Sequence, residues 1–148
     1  MPKFMADHMI GKTCKWMRIM GYDTSYPGCQ NDTDILKKCM AENRILLTRD
    51  YEFYKRYSRS IFLDSPYFKL QIKQIAQMFP PEMKLFFSRC PICNSLLEEV
   101  CSDRMGGEFE SVKSRFRMVK YCPYCNKYYW KGSHYEKILL EIDSILKG

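Results

Sequence analysis

Between Lys3 and Phe79, short apolar runs alternate with stretches in which apolar residues recur every three or four positions. A period of two changing repeatedly to a period of 3.6 predicts strands alternating with helices. Residues 3–7 (KFMAD) read as a short buried strand, and Ile10 to Met20 as a helix with Ile10, Cys14, Met17 and Gly21 on one stripe. Tyr22 to Tyr26 reads as a second strand broken by Pro27-Gly28, after which Asp32 or Thr33 caps a helix carrying Ile35, Leu36, Cys39 and Met40. Residues 44–48 (RILLT) form the clearest central strand, Tyr51 to Tyr57 a short helix and Ser60 to Asp64 a fourth strand. Leu70 to Phe79 reads as a helix with Leu70, Ile72, Ile75, Ala76 and Phe79 inward, stopped by Pro80-Pro81. Such alternation predicts an α/β domain over residues 1–87, a parallel sheet flanked by helices and built from right-handed crossovers.

The last third carries a different signal. Cys90-Pro-Ile-Cys93 and Cys122-Pro-Tyr-Cys125 are two CxxC pairs, each followed by an Asn. That ligand count and spacing suit one tetrahedral Zn2+ held by four thiolates, with the Pro and Asn shaping a tight knuckle at each pair. Two disulfides or two redox motifs are the competing readings, and neither accounts for paired knuckles in a chain with no evident secretory leader. Residues 88–148 are therefore expected to be a small zinc ribbon with a C-terminal helix. In that helix Ile138, Ile142, Ile145 and Leu146 fall on the buried side, and Ser133-His-Tyr-Glu136 fits a capping box at its start. A site closed by four protein ligands is structural, leaving no position for water or substrate. In zinc-finger peptides such binding supplies on the order of 10 kcal/mol of folding free energy, so chelation should unfold the ribbon.

Composition narrows the setting. A chain of 148 residues, 46% apolar, holds one ordinary domain plus a small module. No apolar run is long enough for a membrane span, and the first ten residues lack the apolar core of a signal peptide. Eight cysteines in such a chain point to a reducing, cytoplasmic compartment, with Cys14, Cys29, Cys39 and Cys101 as free thiols. The formal charge of +7 suggests an acidic partner such as nucleic acid, and most of the excess lies in residues 1–87. Eleven Tyr, nine Phe and two Trp offer surfaces for bases, although at this count most belong to the core.

The strand ends are the candidate site. Asp7 closes the first predicted strand, Asp50 follows the third, Asp64 closes the fourth, and Asp32 and Asp34 begin the helix after the second. All fall at the carboxyl edge of the predicted sheet, where ligands bind in open α/β folds. Two readings stand side by side. Asp is the usual helix cap after a strand; carboxylates converging on one edge repel unless a cation lies among them, and hard oxygen donors suit Mg2+ or Mn2+.

Residues 4–7 (FMAD), 10–12 (IGK), 16–18 (WMR), 21–23 (GYD), 34–36 (DIL), 44–50 (RILLTRD), 89–94 (RCPICN) and 129–134 (YWKGSH), in that order, resemble the Mut7-C RNase domain over nearly the whole chain. The most specific parts are the LLTRD strand end and the paired knuckles with the trailing YWKGSH. The resemblance implies a PIN-like nuclease fold followed by a zinc ribbon, and a metal-dependent ribonuclease whose acids, by motif position, are Asp7, Asp34 and Asp50, with Asp64 a weaker fourth. After Gly11 the family commonly has small and Leu-rich residues, where this chain has Thr13, Cys14 and Met17, a difference that bears on packing. RNA contacts are expected at Lys12 and Arg18, which share a face of the first helix with Lys15, at Arg49 beside Asp50, and at His134; a solvated helix face is the competing reading for the lysines. Trp16 reads as core. Tyr128, Tyr129, Trp130 and Lys131 divide between ribbon packing and an RNA surface. Two functions are compatible with these features: an endoribonuclease preferring single strands, with Mg2+ or Mn2+ at the acids, and a non-catalytic RNA-binding or ribosome-associated zinc-ribbon adaptor. The toxin half of a toxin–antitoxin pair suits the fold but not the appended ribbon.

Overall fold

The computed structural model describes residues 1–148, which form two compact units, Met1–Asn94 and Ser95–Gly148. In the first, strands and helices alternate as the periodicity predicts: β1 (Lys3–Ala6), α1 (Gly11–Ile19), β2 (Asp23–Ser25), α2 (Asp32–Glu42), β3 (Arg44–Thr48), α3 (Tyr51–Lys55), β4 (Ser60–Phe62) and α4 (Phe68–Met78). All strand pairs are parallel, in the order β2-β1-β3-β4, with Phe4 opposite Thr24 on one side and Ile45 on the other. A parallel sheet is covered on both faces, so its central strands are apolar throughout. Accordingly Phe4, Met5 and Ala6 of β1 and Leu46 and Leu47 of β3 are fully buried.

Successive strand residues face opposite ways. Met5 joins Leu46, Ile35, Leu36, Cys39 and Phe53 in a core formed with α2 and α3. Phe4 instead meets the edges of the Tyr22 and Phe79 rings, at 5.7 and 5.3 Å between centroids. Gly21 ends α1 with a φ of 92°, and a Cβ there would lie 2.6 Å from the Leu85 carbonyl oxygen, so both the backbone and the returning 83–85 turn require glycine.

Three local expectations are corrected. The cap of α2 is Asn31, whose Oδ1 accepts from the Asp34 N–H at 2.9 Å, rather than Asp32 or Thr33. In α4 the buried residues are Gln71, Ile72, Ile75 and Ala76, while Leu70 is exposed and Phe79 half-buried. Gln71 tolerates burial because its side-chain oxygen accepts from the Thr13 hydroxyl and its amide donates to the Ser65 carbonyl at 2.8 Å. The C-terminal helix begins at Ser133 with Gly132 at the cap position and no side-chain cap bond, so the expected capping box does not form.

The second unit holds β5 (Glu98–Cys101), β6 (Met118–Cys122) and β7 (Lys127–Tyr129) as an antiparallel sheet in that order, with α5 (Glu110–Arg115) in the β5–β6 connection and α6 (Ser133–Lys147) at the end. Val100, Met105 and Val119 form its core, with Phe109, Val112, Phe116, Tyr121, Tyr128 and Trp130 packed against them. Tyr128 and Trp130 are thereby engaged in packing. Ile142 and Ile145 are the buried residues of α6. No helix is long and apolar enough to cross a membrane.

Candidate active site and metal centre

From β1 the chain passes to β2 on one side and, after β2, to β3 on the other, so the strand order changes direction between β1 and β3. Asp7 leaves β1 at that switch point, its N–H donating to the Leu47 carbonyl at 3.0 Å. Asp7 as a residue is only 5% exposed. Oδ1 accepts from the His8 N–H and Oδ2 from the Thr48 hydroxyl, each at 2.7 Å, and no cationic side chain is paired with it. Thr48 Oγ1 also accepts from the Asp50 N–H at 2.9 Å, so one hydroxyl ties the two acids together. Asp50 is exposed and caps α3, its Oδ1 accepting from the Phe53 N–H at 3.1 Å. For Asp7 and Asp50 the capping reading is thus correct, and it leaves carboxylate oxygen capacity unused at both.

The other acids are placed differently. Asp34 lies in the first turn of α2, exposed, with no hydrogen bond or ion pair to its carboxylate. Asp32 pairs with Arg56 at 3.9 Å. Asp64 follows β4, exposed, its N–H donating to Gln74 Oε1 at 3.1 Å. Arg49 donates from Nε to the Leu63 carbonyl at 3.2 Å and so joins the ends of β3 and β4. The Lys12 ammonium lies 4.2 Å from the centre of the Phe68 ring. His134 is exposed in the first turn of α6.

Arg18 is buried, not presented to solvent. It donates from Nε to the Thr24 carbonyl at 2.8 Å and from Nη1 to the Pro91 and Ile92 carbonyls at 3.2 and 3.0 Å. With its donors on backbone carbonyls, its charge clamps the first knuckle against α1 and β2. Asn94 completes the clamp: its Oδ1 accepts from the Thr24 N–H at 2.9 Å and its Nδ2 donates to Asp23 at 2.7 Å. Asp23 also receives Arg44 Nη1 at 2.8 Å, with Arg89 at 3.7 Å. Burial opposes the Asp23 charge, but Arg44, Asn94 and Arg89 outweigh it and hold its carboxyl below the usual value.

The two knuckles have the same backbone. Asn94 (φ 73°) and Asn126 (φ 53°) adopt the left-handed conformation, and their N–H groups close onto the Cys90 and Cys122 carbonyls at 2.8 and 2.9 Å. The Sγ atoms of Cys90, Cys93, Cys122 and Cys125 lie within 4.8 Å of one another. Thiolates about 2.3 Å from a tetrahedral Zn2+ lie about 3.8 Å apart, so the group fits that ion. No other set of three or more His, Cys, Asp or Glu side chains is gathered in this way.

The sequence marks neither Thr48 nor Asp23 as a site or anchoring residue, and it marks Asn94 only as part of its knuckle. The signal for Thr48 was its place two residues before Asp50, where a hydroxyl reaches a following N–H. Asp23 stands in the GYD motif, but its anchoring role is set by partners from distant segments, Arg44, Arg89 and Asn94.

The family model for the Mut7-C RNAse domain matches residues 2–142. Neither the curated proteins nor the solved structures contain a match to the chain.

Proposed function

The chain belongs to the Mut7-C RNAse domain family, which gives it a ribonuclease-type function with RNA as substrate class, and on that premise we propose that it is a divalent-metal-dependent endoribonuclease acting at the Asp7 edge of the parallel sheet. The observation that carries this reading is Asp7 itself. Asp7 is a residue 5% exposed at a topological switch point, with two hydrogen-bond donors on its carboxylate and no paired cation, so a bound cation is the partner its charge still lacks. Its oxygens, with those of Asp50, are hard donors of the kind Mg2+ and Mn2+ take. Asp34, whose carboxylate is unpaired, and Asp64, two residues beyond β4, which neighbours β3, are the further acids proposed for this edge.

When bound, such an ion activates water and neutralises charge on the leaving oxygen of a phosphodiester. The residues divide the remaining work. Thr48 fixes the Asp7 carboxylate by donating to Oδ2, and the His8 N–H fixes the other oxygen. Asp50 is held by its cap bond to Phe53. Arg49 keeps the ends of β3 and β4 in register through the Leu63 carbonyl, so the acids after both strands hold their places. With water as nucleophile and the 3′-oxygen as the leaving group, the products carry a 5′-phosphate and a 3′-hydroxyl. The four-cysteine site is proposed to hold structural Zn2+, and the protein to work in the cytoplasm.

The test is cleavage of an end-labelled mixed-sequence RNA with Mn2+ or Mg2+ by the parent and by Asp7→Asn and Asp50→Asn, each shown to retain zinc. Cleavage by the parent alone, leaving 5′-phosphates, is the expected result. A 2′,3′-cyclic phosphate, or equal cleavage by all three, overturns the mechanism; RNA binding without any cleavage turns the reading to an adaptor.

A further inference from the structure

An open groove of about 640 Å³ lies between the segment Met9 to Thr13, which follows β1, and the N-terminal end of α4. Its volume is that of sites for small organic groups, roughly 300–1,000 Å³. Large apolar side chains are left in solvent along it: Tyr67 is 70% exposed, Met9 69% and Leu70 53%. Tyr67, the residue before α4, and Leu70 in its first turn both line the groove. The Thr13–Gln71–Ser65 hydrogen bonds draw Gln71 into the core and leave its neighbour Leu70 outward. The exposed apolar rim is therefore a consequence of a buried polar lock.

The lining has cations and no acid. Lys12 and Lys69 both contribute to it, and the Lys12 ammonium is held over the Phe68 ring, which is itself stacked on Trp16 at 6.0 Å with the planes 26° apart. An exposed Tyr67 ring in a lining that also holds two cations complements a chain of flat, weakly polar rings on an anionic backbone. Two of its lining residues follow proposed acids closely in the chain: Met9 is two residues beyond Asp7 and Pro66 two beyond Asp64. We propose that this groove receives unpaired bases of the RNA strand, with Tyr67 as the stacking platform and Lys12 on the adjoining phosphate. Bases in a duplex are stacked on each other and cannot offer a face to Tyr67, so the groove selects single strands. The proposal rests on the ribonuclease reading of the Asp7 edge for its biological meaning but is measured by binding.

The experiment uses the zinc-loaded protein and a fluorescein-labelled single-stranded 12-mer RNA, with its duplex as comparator, in buffer without Mg2+ or Mn2+. Tyr67→Ala weakens single-strand binding about 5- to 150-fold, the range that stacking of about 1–3 kcal/mol per base converts to. Tyr67→Phe restores it, duplex binding is unchanged by either, and Lys12→Ala lowers the slope of log K against log salt by about 0.7. Equal affinity of the parent and Tyr67→Ala, or no single-strand binding by the parent, overturns the proposal. Loss of binding in Tyr67→Ala when the parent fails to cleave with Mn2+ upholds the groove and sinks the nuclease reading. Cleavage by the parent with KM unchanged in Tyr67→Ala does the reverse.

Discussion

Thr48 makes two hydrogen bonds with one hydroxyl, donating to the Asp7 carboxylate and accepting from the Asp50 N–H. Valine has the same shape without either bond. In Thr48→Val the sheet should persist while Asp7 loses the donor on Oδ2, and partners of metal-ligating groups typically matter 10- to 100-fold. We expect a loss of RNA cleavage in that range with the circular dichroism spectrum unchanged, and recovery in Thr48→Ser; full activity in Thr48→Val would show that Asp7 needs no second partner. Asp7 itself provides a readout independent of turnover. Ligands that bind only the folded state raise its stability, so Mn2+ should raise the melting temperature of the parent and leave that of Asp7→Asn where it was. Equal shifts in both proteins would place the ion elsewhere.

The first knuckle shows how an element can depend on residues outside it. Asn94 and Asn126 do the same local work at φ 73° and 53°, but only Asn94 also reaches Thr24 and Asp23; Asn126 accepts from the exposed Tyr121 hydroxyl at 2.8 Å. Glycine suits both backbones. Asn94→Gly should cost about 1–3 kcal/mol, because it leaves the buried Thr24 N–H unsatisfied and removes a donor from Asp23, and Asn126→Gly less than about 1 kcal/mol; urea denaturation of the zinc-loaded variants gives the comparison, and equal losses would remove the clamp from the account. Asp23, held below its ordinary value, contributes stability that is complete above its unfolded pKa of roughly 4 and lost as pH falls through the lower folded value. Asp23→Asn should therefore destabilise the protein at pH 7 and flatten the difference between pH 7 and pH 3. The alternation of β1 to α4 was legible because burial on both faces of a parallel sheet leaves a strong periodic pattern in the sequence. Both knuckles were legible because their chemistry is local. The clamp was not: Arg18 has the spacing of a surface cation, and only the approach of the Pro91 and Ile92 carbonyls makes it a buried one. Leu70 misled for a similar reason, since an apolar count cannot foresee that Gln71 finds two partners inside.

Eight cysteines give the whole molecule a thiol inventory that reads out both its metal and its packing. Cys14 and Cys39 are buried, and burial pushes each thiol up to about 11, against the lowering influence of Arg18 and Arg44 respectively. At pH 8 they are neutral and shielded, and the thiolate is the reactive form. Cys29 is exposed and should react within the first phase, with half-buried Cys101 following more slowly. The remaining four are Cys90, Cys93, Cys122 and Cys125, whose sulfurs should be withheld by Zn2+. A disulfide reagent at pH 8 should thus count two thiols in the metal-loaded protein, and a chelator should raise the count by four with release of one Zn2+ per chain. Cys14 and Cys39 should stay silent, because their burial comes from the helices packed on the parallel sheet and not from the metal. A count that does not change on chelation would mean that no ion holds the cysteines. A rise to eight would mean that the sheet unit loses its fold together with the zinc, making the metal a condition for the Asp7 edge and its hydrogen bonds to exist at all.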